Sequence, residues 1–263
     1  MGYMESRLNA LKNSEEAVSE VVDFSITMGI MLLAIAIIGT AGFPLVEYMQ
    51  EAQHTENIKQ SFTVLTSNIN KVAFGSSPSQ SVEIKLHDST TAVTGTSSIN
   101  VNMQVWNSST GIVDTESFDR QLRVIENRFQ DRSIGYEDTG AWAKYERGKV
   151  VMISKPSFAV SDDLLMIPAV MVSGSSSVSG TGLVRVVCDG GVPSVHRYEN
   201  VSMINITIGS EYYDGWGRFL NETLGMRITG YDTANNTVFA SKQYSPNSID
   251  VVIVYSPMRV TIQ

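Results

Sequence analysis

Few residues in this 263-residue chain could do covalent chemistry. The one cysteine, Cys188, ends the apolar run LVRVVC, which suits a small buried filler rather than a nucleophile. A single thiol also excludes an intrachain disulfide and any multi-cysteine zinc or iron–sulfur centre. His54, His87 and His196 lie far apart and leave little for histidine-based acid–base or metal chemistry. Two adjacent carboxylate pairs, Glu137-Asp138 and Asp162-Asp163, carry the oxygen ligands that a hard cation takes. Neighbouring carboxylates in turns are ordinarily solvated, and that is what is expected of both. Arg120, Arg123, Arg128 and Arg132 look basic, but Asp119, Glu126 and Asp131 are interleaved, so a solvated face is expected rather than a phosphate groove. HExxH, P-loop, GxSxG and EF-hand patterns are absent, and Gly180-Thr-Gly182 lacks the third glycine of a dinucleotide fingerprint. No cofactor, metal site, small-molecule substrate or catalytic residue is expected, and an enzyme is the least favoured class.

Side-chain amides offer a different chemistry. Five N-x-S/T sequons begin at Asn107, Asn200, Asn205, Asn221 and Asn235. Their placement tells more than their number, because all five fall in the last three-fifths of the chain. The formal net charge of -8, from 27 Asp and Glu against 19 Lys and Arg, argues against nucleic-acid binding, which needs a basic face.

The element that must position these groups is at the N-terminus. Phe24 to Val46, FSITMGIMLLAIAIIGTAGFPLV, is 23 residues without a charge. As a helix it spans ~34 Å, enough to cross a hydrocarbon layer of about 30 Å. A buried helix of a soluble protein would seldom be so long without a charge. A cleaved secretory signal would have an apolar run of only about 7–15 residues. A retained transmembrane helix is the better account. Arg7 and Lys12 precede it while Lys59 stands well beyond, so the positive-inside rule weakly favours a cytoplasmic N-terminus and an external C-terminal body. External sequons agree with that orientation.

Beyond the span, Ile58, Phe62, Leu65, Ile69 and Val72 recur at spacings of 4, 3, 4 and 3, one apolar face of a helix. The pattern predicts a leader-like segment over 1–16, then one long helix over 17–74. That helix is transmembrane over 24–46 and amphipathic over 47–72, with a kink near Gly42 and Pro44. Gly75-Ser-Ser-Pro78 ends it. A β-rich extracellular domain over 75–263 follows. Period-two alternation over Ile99–Val105 and Ile204–Ile208, and short apolar runs over 149–153, 164–172, 183–188 and 249–255, read as strands. Asn235-Asn236 marks a hairpin and Ser173–Gly182, SGSSSVSGTG, a surface connection. One helix interrupts the strands, capped by Ser210 and stopped by Gly225. Its face Tyr213, Trp216, Leu220 and Leu224 suits core packing better than a ligand platform. The expected class is α+β: a long N-terminal helix and a mainly antiparallel, sandwich-like β domain with one short helix.

The segment SEEAVSEVVDFSITMGIMLLAIAIIG resembles the class III signal and helix of archaeal type IV pilin-like proteins, in which a charged leader precedes A/G-V-S-x-[IV]-[IV] and a long apolar run. GFPLVEYMQEAQHTENIKQSFTVLTSNINKV, RSIGYEDTGAWAKYERGKVVMISKPSF and IPAVMVSGSSSVSG extend the likeness to an uncharacterised family of such proteins with large β-rich ectodomains, found in methanogenic and halophilic archaea. The resemblance implies cleavage by a prepilin peptidase at Ser14, Glu15 or Glu16, and contact with pilus assembly machinery. It also implies self-assembly through the helix, with Glu20 neutralising a neighbouring subunit's amine. A cut after Ser14 would place Glu20 sixth, and a cut after Glu15 fifth. The usual leader ends in basic residues and a small residue, whereas Glu15 and Glu16 intervene here.

Two roles follow for a single-pass cell-membrane protein. One is a pilin-like subunit that assembles into surface filaments. The other is an uncleaved anchored protein whose ectodomain, large for a major pilin, binds a glycan or another envelope component.

Overall fold

The computed structural model describes residues 2–107, 109–145, 149–244 and 247–263, with side chains from residue 20 onward. The chain forms two compact units, one ending at Thr55 and the other running Glu56–Gln263.

In the first unit, α1 (Gly2–Ile37) runs into a π-helical turn (Ile38–Gly42) and then into the start of α2 (Phe43–Ala73). Helix begins at Gly2, so the leader-like segment and the apolar span share one helix; after Gly2 nothing before Gly29 breaks it. The expected kink takes the form of the π turn. Pro44 has no N–H to donate and its ring crowds the carbonyl four residues back, and widening the preceding turn relieves both. Ser25, Thr27 and Thr40 return their hydroxyls to carbonyls four residues back, which keeps polar groups satisfied inside an apolar surface.

The second unit begins with the C-terminal half of α2. Ile58, Phe62, Leu65, Ile69 and Val72 are all buried, so the amphipathic stretch is part of the β domain's core. Gly75, at φ 73°, ends the helix, and the amides of Ser76 and Ser77 fold back onto the Lys71 carbonyl.

Among the described residues fourteen strands follow, hydrogen-bonded into one mainly antiparallel network. The long strands are β1 (Ser79–Thr94), β10 (Ser177–Gly190), β11 (Ser194–Gly209) and β14 (Ile249–Ile262). Of these, β11 and β14 change partner along their length. β11 pairs β14 over Ser194–Val201 and then β13 (Thr237–Gln243) over Met203–Gly209, while β2 (Ser98–Asn107) runs along it over Val201–Gly209. β14 meets β11 first and β10 over Met258–Ile262, and it pairs β9 (Leu164–Ser173) in parallel. Strands that pass from one group of partners to another enclose two cores. One is filled by Ile99, Val101, Ile204, Ile206, Trp216, Phe219 and Leu220, from β2, β11 and the helix α3 (Tyr213–Glu222). The other joins the buried face of α2 to Ile84, Leu86, Val186 and Val260 of β1, β10 and β14.

Part of the expected connection Ser173–Gly182 is strand. Ser177–Gly180 pair with Ala92–Ser89 of β1, and Gly180 and Gly182 adopt φ 123° and 127°, conformations closed to other residues. Low complexity there reflects backbone demand rather than a free loop. The helix α3 also starts later than expected. Tyr212 is its N-cap residue, and Ser210, two positions before it, accepts the Tyr212 amide at 2.9 Å instead of capping the helix. Gly225, at φ 62°, ends it, as expected.

Candidate functional site

Two regions carry features that packing alone does not explain. The first is the apolar helix. Phe24, Ile26, Ile30, Leu32, Leu33, Ile35 and Leu45 are each more than half exposed. Glu20 is exposed on the same helix. Ser14, Glu15 and Glu16 lie within the helical backbone of α1, but their side chains are outside the described residues. The described helix Glu20–Ala73 is long and apolar enough to cross a membrane.

The second lies in the β unit and was not expected from the sequence. Glu137 and Asp138 are fully buried, not solvated. They sit at the tip of the hairpin between β5 (Arg132–Glu137) and β6 (Gly140–Lys144), where Asp138 and Thr139 adopt φ 43° and 66°. The tip is buried because other elements bond to it. The Val170 amide donates to Asp138 Oδ1 at 2.9 Å, the Ser157 amide to Thr139 Oγ1 at 2.9 Å, and Asn70 Nδ2 to the Thr139 carbonyl at 3.0 Å. Asp138 Oδ2 has no partner among the described residues. Burial pushes the Asp138 carboxyl well above the ordinary range, against the opposing bond from Val170. Glu137 accepts Trp216 Nε1 at 2.8 Å and Ser210 Oγ at 2.9 Å. Burial dominates those two bonds and raises its pKa to about 7.

Ser210, which donates to Glu137, also lines a cleft of about 380 Å³, walled by the β1–β2 turn (Thr94, Thr96, Ser97), by Ser210, Glu211 and Tyr212, and by the β12–β13 turn (Asn235, Asn236). Here β12 is Arg227–Asp232. Glu126, of β4 (Val124–Phe129), is 3% exposed and accepts the Tyr212 hydroxyl at 2.7 Å. Arg128 bonds Glu126 and, at 3.3 Å, Glu211; Lys144 reaches Glu211 at 3.5 Å. Ser97 Oγ is buried with no partner among the described residues. The arginine segment is therefore more than a solvated face. Arg128 belongs to this cleft, and Arg123, at φ 64°, donates to the Gly174 carbonyl at 2.7 Å.

The remaining sequence candidates fall elsewhere. Asp162 and Asp163 are exposed. Cys188 is buried, and burial pushes its thiol up to about 12, which makes it inert at neutral pH. Trp216 packs on Trp142 with ring centroids 4.9 Å apart, so the stripe on α3 is core. Among the described residues, no group of three or more His, Cys, Asp or Glu could hold a metal ion.

The sequons divide by what their amides do. Nδ2, the atom a glycan would take, donates to Asp114 from Asn107, to the Met226 carbonyl from Asn221, and to Asp232 from Asn235. These three stabilise turns or a helix end as they stand. Ser108, inside the first sequon, lies outside the described residues. Asn205 sits mid-strand between Asn102 and Ser241, with strands on both sides. Asn200 is exposed at a bulge with φ 57°, and its Oδ1 accepts the Ser248 hydroxyl at 3.4 Å.

Comparison with known proteins finds relatives of this chain. The model of a family of unknown function, DUF7289, matches residues 16–261. The chain belongs to this family. An uncharacterized protein of Archaeoglobus fulgidus is 23% identical over 300 residues, covering 91% of this chain and 96% of that protein. No solved structure matches it. The DUF7289 match begins at Glu16, so it takes in the apolar helix and nearly all of the β unit.

Proposed function

We propose that this DUF7289 protein is a pilin-like surface protein, held in the membrane by its N-terminal helix and assembled into a type IV-like filament through that helix. The observation that carries it is the contrast along one continuous helix. Residues 56–73 bury an apolar stripe within the β unit, whereas the large apolar side chains of the uncharged span 24–46 are exposed among the described residues. An apolar surface of that extent is stable only in lipid or against other apolar helices. Glu20 stands just before the span, where it could neutralise the amine of an adjacent copy. The β unit would face the exterior, with the exposed Asn200 a site for a glycan.

Mapping the mature N-terminus of protein from native membranes tests the proposal. A start at Glu15 or Glu16, with the protein recovered in sheared filaments, is expected. Glu20→Gln should then leave the protein membrane-bound but deplete the filaments. A start at Met1 or Gly2, with no protein in the sheared fraction, would overturn processing and assembly together.

The cleft favours a second role, an anchored surface protein with a binding ectodomain. Anchoring is common to both, and filament recovery separates them.

A further inference from the structure

We infer that the cleft beside Glu126 and Arg128 binds a neutral, polyhydroxylated ligand, one or two sugar units in size. Three independent features converge on it.

The first is an unsatisfied group. Ser97 is 4% exposed, and its hydroxyl has no hydrogen-bond partner among the described residues. A buried hydroxyl left unpaired is destabilising, because it has lost its water and gained no partner. Ser97 lines the cleft, so a ligand hydroxyl seated at the β1–β2 turn, with one turn of the serine side chain, would supply the missing partner.

Charge balance is the second. Glu126 and Glu211 are matched by Arg128 and Lys144, all four linked in one chain of ion pairs. The lining itself carries Glu126, Glu211 and Arg128, with Lys144 pairing Glu211 from outside it, so strong acceptors and a strong donor stand side by side. A free anion would meet two carboxylates and a free cation the Arg128 guanidinium. A vicinal diol, which donates and accepts at neighbouring positions, meets both kinds of partner without that penalty. Thr94, Thr96, Ser98 and Thr237 add hydroxyls around the same space.

Rigidity is the third. The inner wall is fixed from behind: Ser210 donates to buried Glu137, Tyr212 donates to Glu126, and Trp216 donates to Glu137. A wall so braced loses little freedom on binding. The volume, about 380 Å³, falls at the small end of ligand pockets. The one aromatic ring in the lining, Tyr212, is fully buried and cannot stack on a sugar face. Binding should therefore be in the millimolar range, useful chiefly when many copies act together.

The test uses the full chain in nanodiscs, without a glycan at Asn235 because that residue lines the mouth of the cleft. Saturation-transfer NMR is run with glucose, galactose, mannose, N-acetylglucosamine and their disaccharides, and with succinate and citrate as charged controls. At least one neutral sugar should bind, and neither anion should. Arg128→Ala should weaken binding about tenfold, the loss of one charge-assisted hydrogen bond. Ser97→Ala should weaken it by a smaller factor while leaving the thermal midpoint unchanged or higher, since it removes an unpaired hydroxyl. Thr96→Trp, at an exposed turn position, should block the cleft without touching the core. The inference is overturned if no neutral sugar binds at millimolar concentration, if the anions bind instead, or if binding survives Arg128→Ala and Thr96→Trp in variants that still fold. None of these readouts depends on N-terminal processing or filament formation, so the proposal about the helix stands or falls separately.

Discussion

Leu33 and Phe62 lie on one continuous run of helix, yet Leu33 is 63% exposed and Phe62 is fully buried. The difference comes from their neighbours around the helix. Residues 56–73 are apolar on one stripe, which β1, β10 and β14 cover. Residues 24–46 are apolar all round, and one sheet cannot cover a whole cylinder. A stripe can be satisfied by the chain that carries it. An apolar cylinder calls for a solvent or partners of its own kind.

Core truncation should give the largest contrast. Phe62→Ala is expected to destabilise the β unit by about 3–5 kcal/mol, seen as a lower midpoint in near-ultraviolet circular dichroism melts. Leu33→Ala should leave the same melt within about 0.5 kcal/mol. Equal shifts in the two variants would break the comparison. Next in size, Leu33→Arg should raise the cost of membrane insertion by about 2.5–3.5 kcal/mol and release protein on alkaline extraction, with the β-unit melt unchanged. Full retention would argue that the span is covered by protein rather than lipid.

Charged groups sharpen the same contrast, because a carboxylate buried in the β unit should register pH and an exposed one should not. Glu137 has an ordinary value of 4.5 and about 7 when folded. The folded state therefore holds the proton more tightly than the unfolded chain. Stability should be greatest below pH 4.5, fall by about 3 kcal/mol as pH rises to about 7, and level off above that. Asp138 is shifted in the same direction and adds to the slope. Denaturant titrations across that range should show the decline, and Glu137→Gln should flatten it. A profile that rises with pH would show that Glu137 is not held protonated. The smallest effect belongs to the exposed pair. Asp162→Asn and Asp163→Asn together should change stability by less than about 0.5 kcal/mol.

Period and breakers made much of this legible in advance. The stripe from Ile58 to Val72, the alternation at Ile99–Val105 and Ile204–Ile208, the Asn235-Asn236 turn and the stop at Gly225 all stand where the residues imply. The cleft was not legible. Thr94, Glu126, Ser210 and Asn235 are brought together by strand pairings among residues far apart in sequence, and no local pattern marks them. The nearest available signal was Arg128 with Glu126, which read as part of a mixed surface. Glu137-Asp138 misled for a related reason. Adjacent acids favour solvent unless distant groups bond to them, and those groups are Val170, Ser210 and Trp216, with Asn70 and Ser157 bonding the adjoining Thr139.

The long apolar helix, its amphipathic continuation and the β character of the rest follow from the order of residues alone. Those depend on the spacing of apolar residues over a few turns or a few pleats, and water enforces that spacing locally. Which carboxylates lose their solvent, which asparagine amides are already occupied and where a polar cleft opens depend on contacts between distant segments. Burial and hydrogen-bond satisfaction are properties of non-local contacts, fixed when β11 and β14 change partners and draw the turns together.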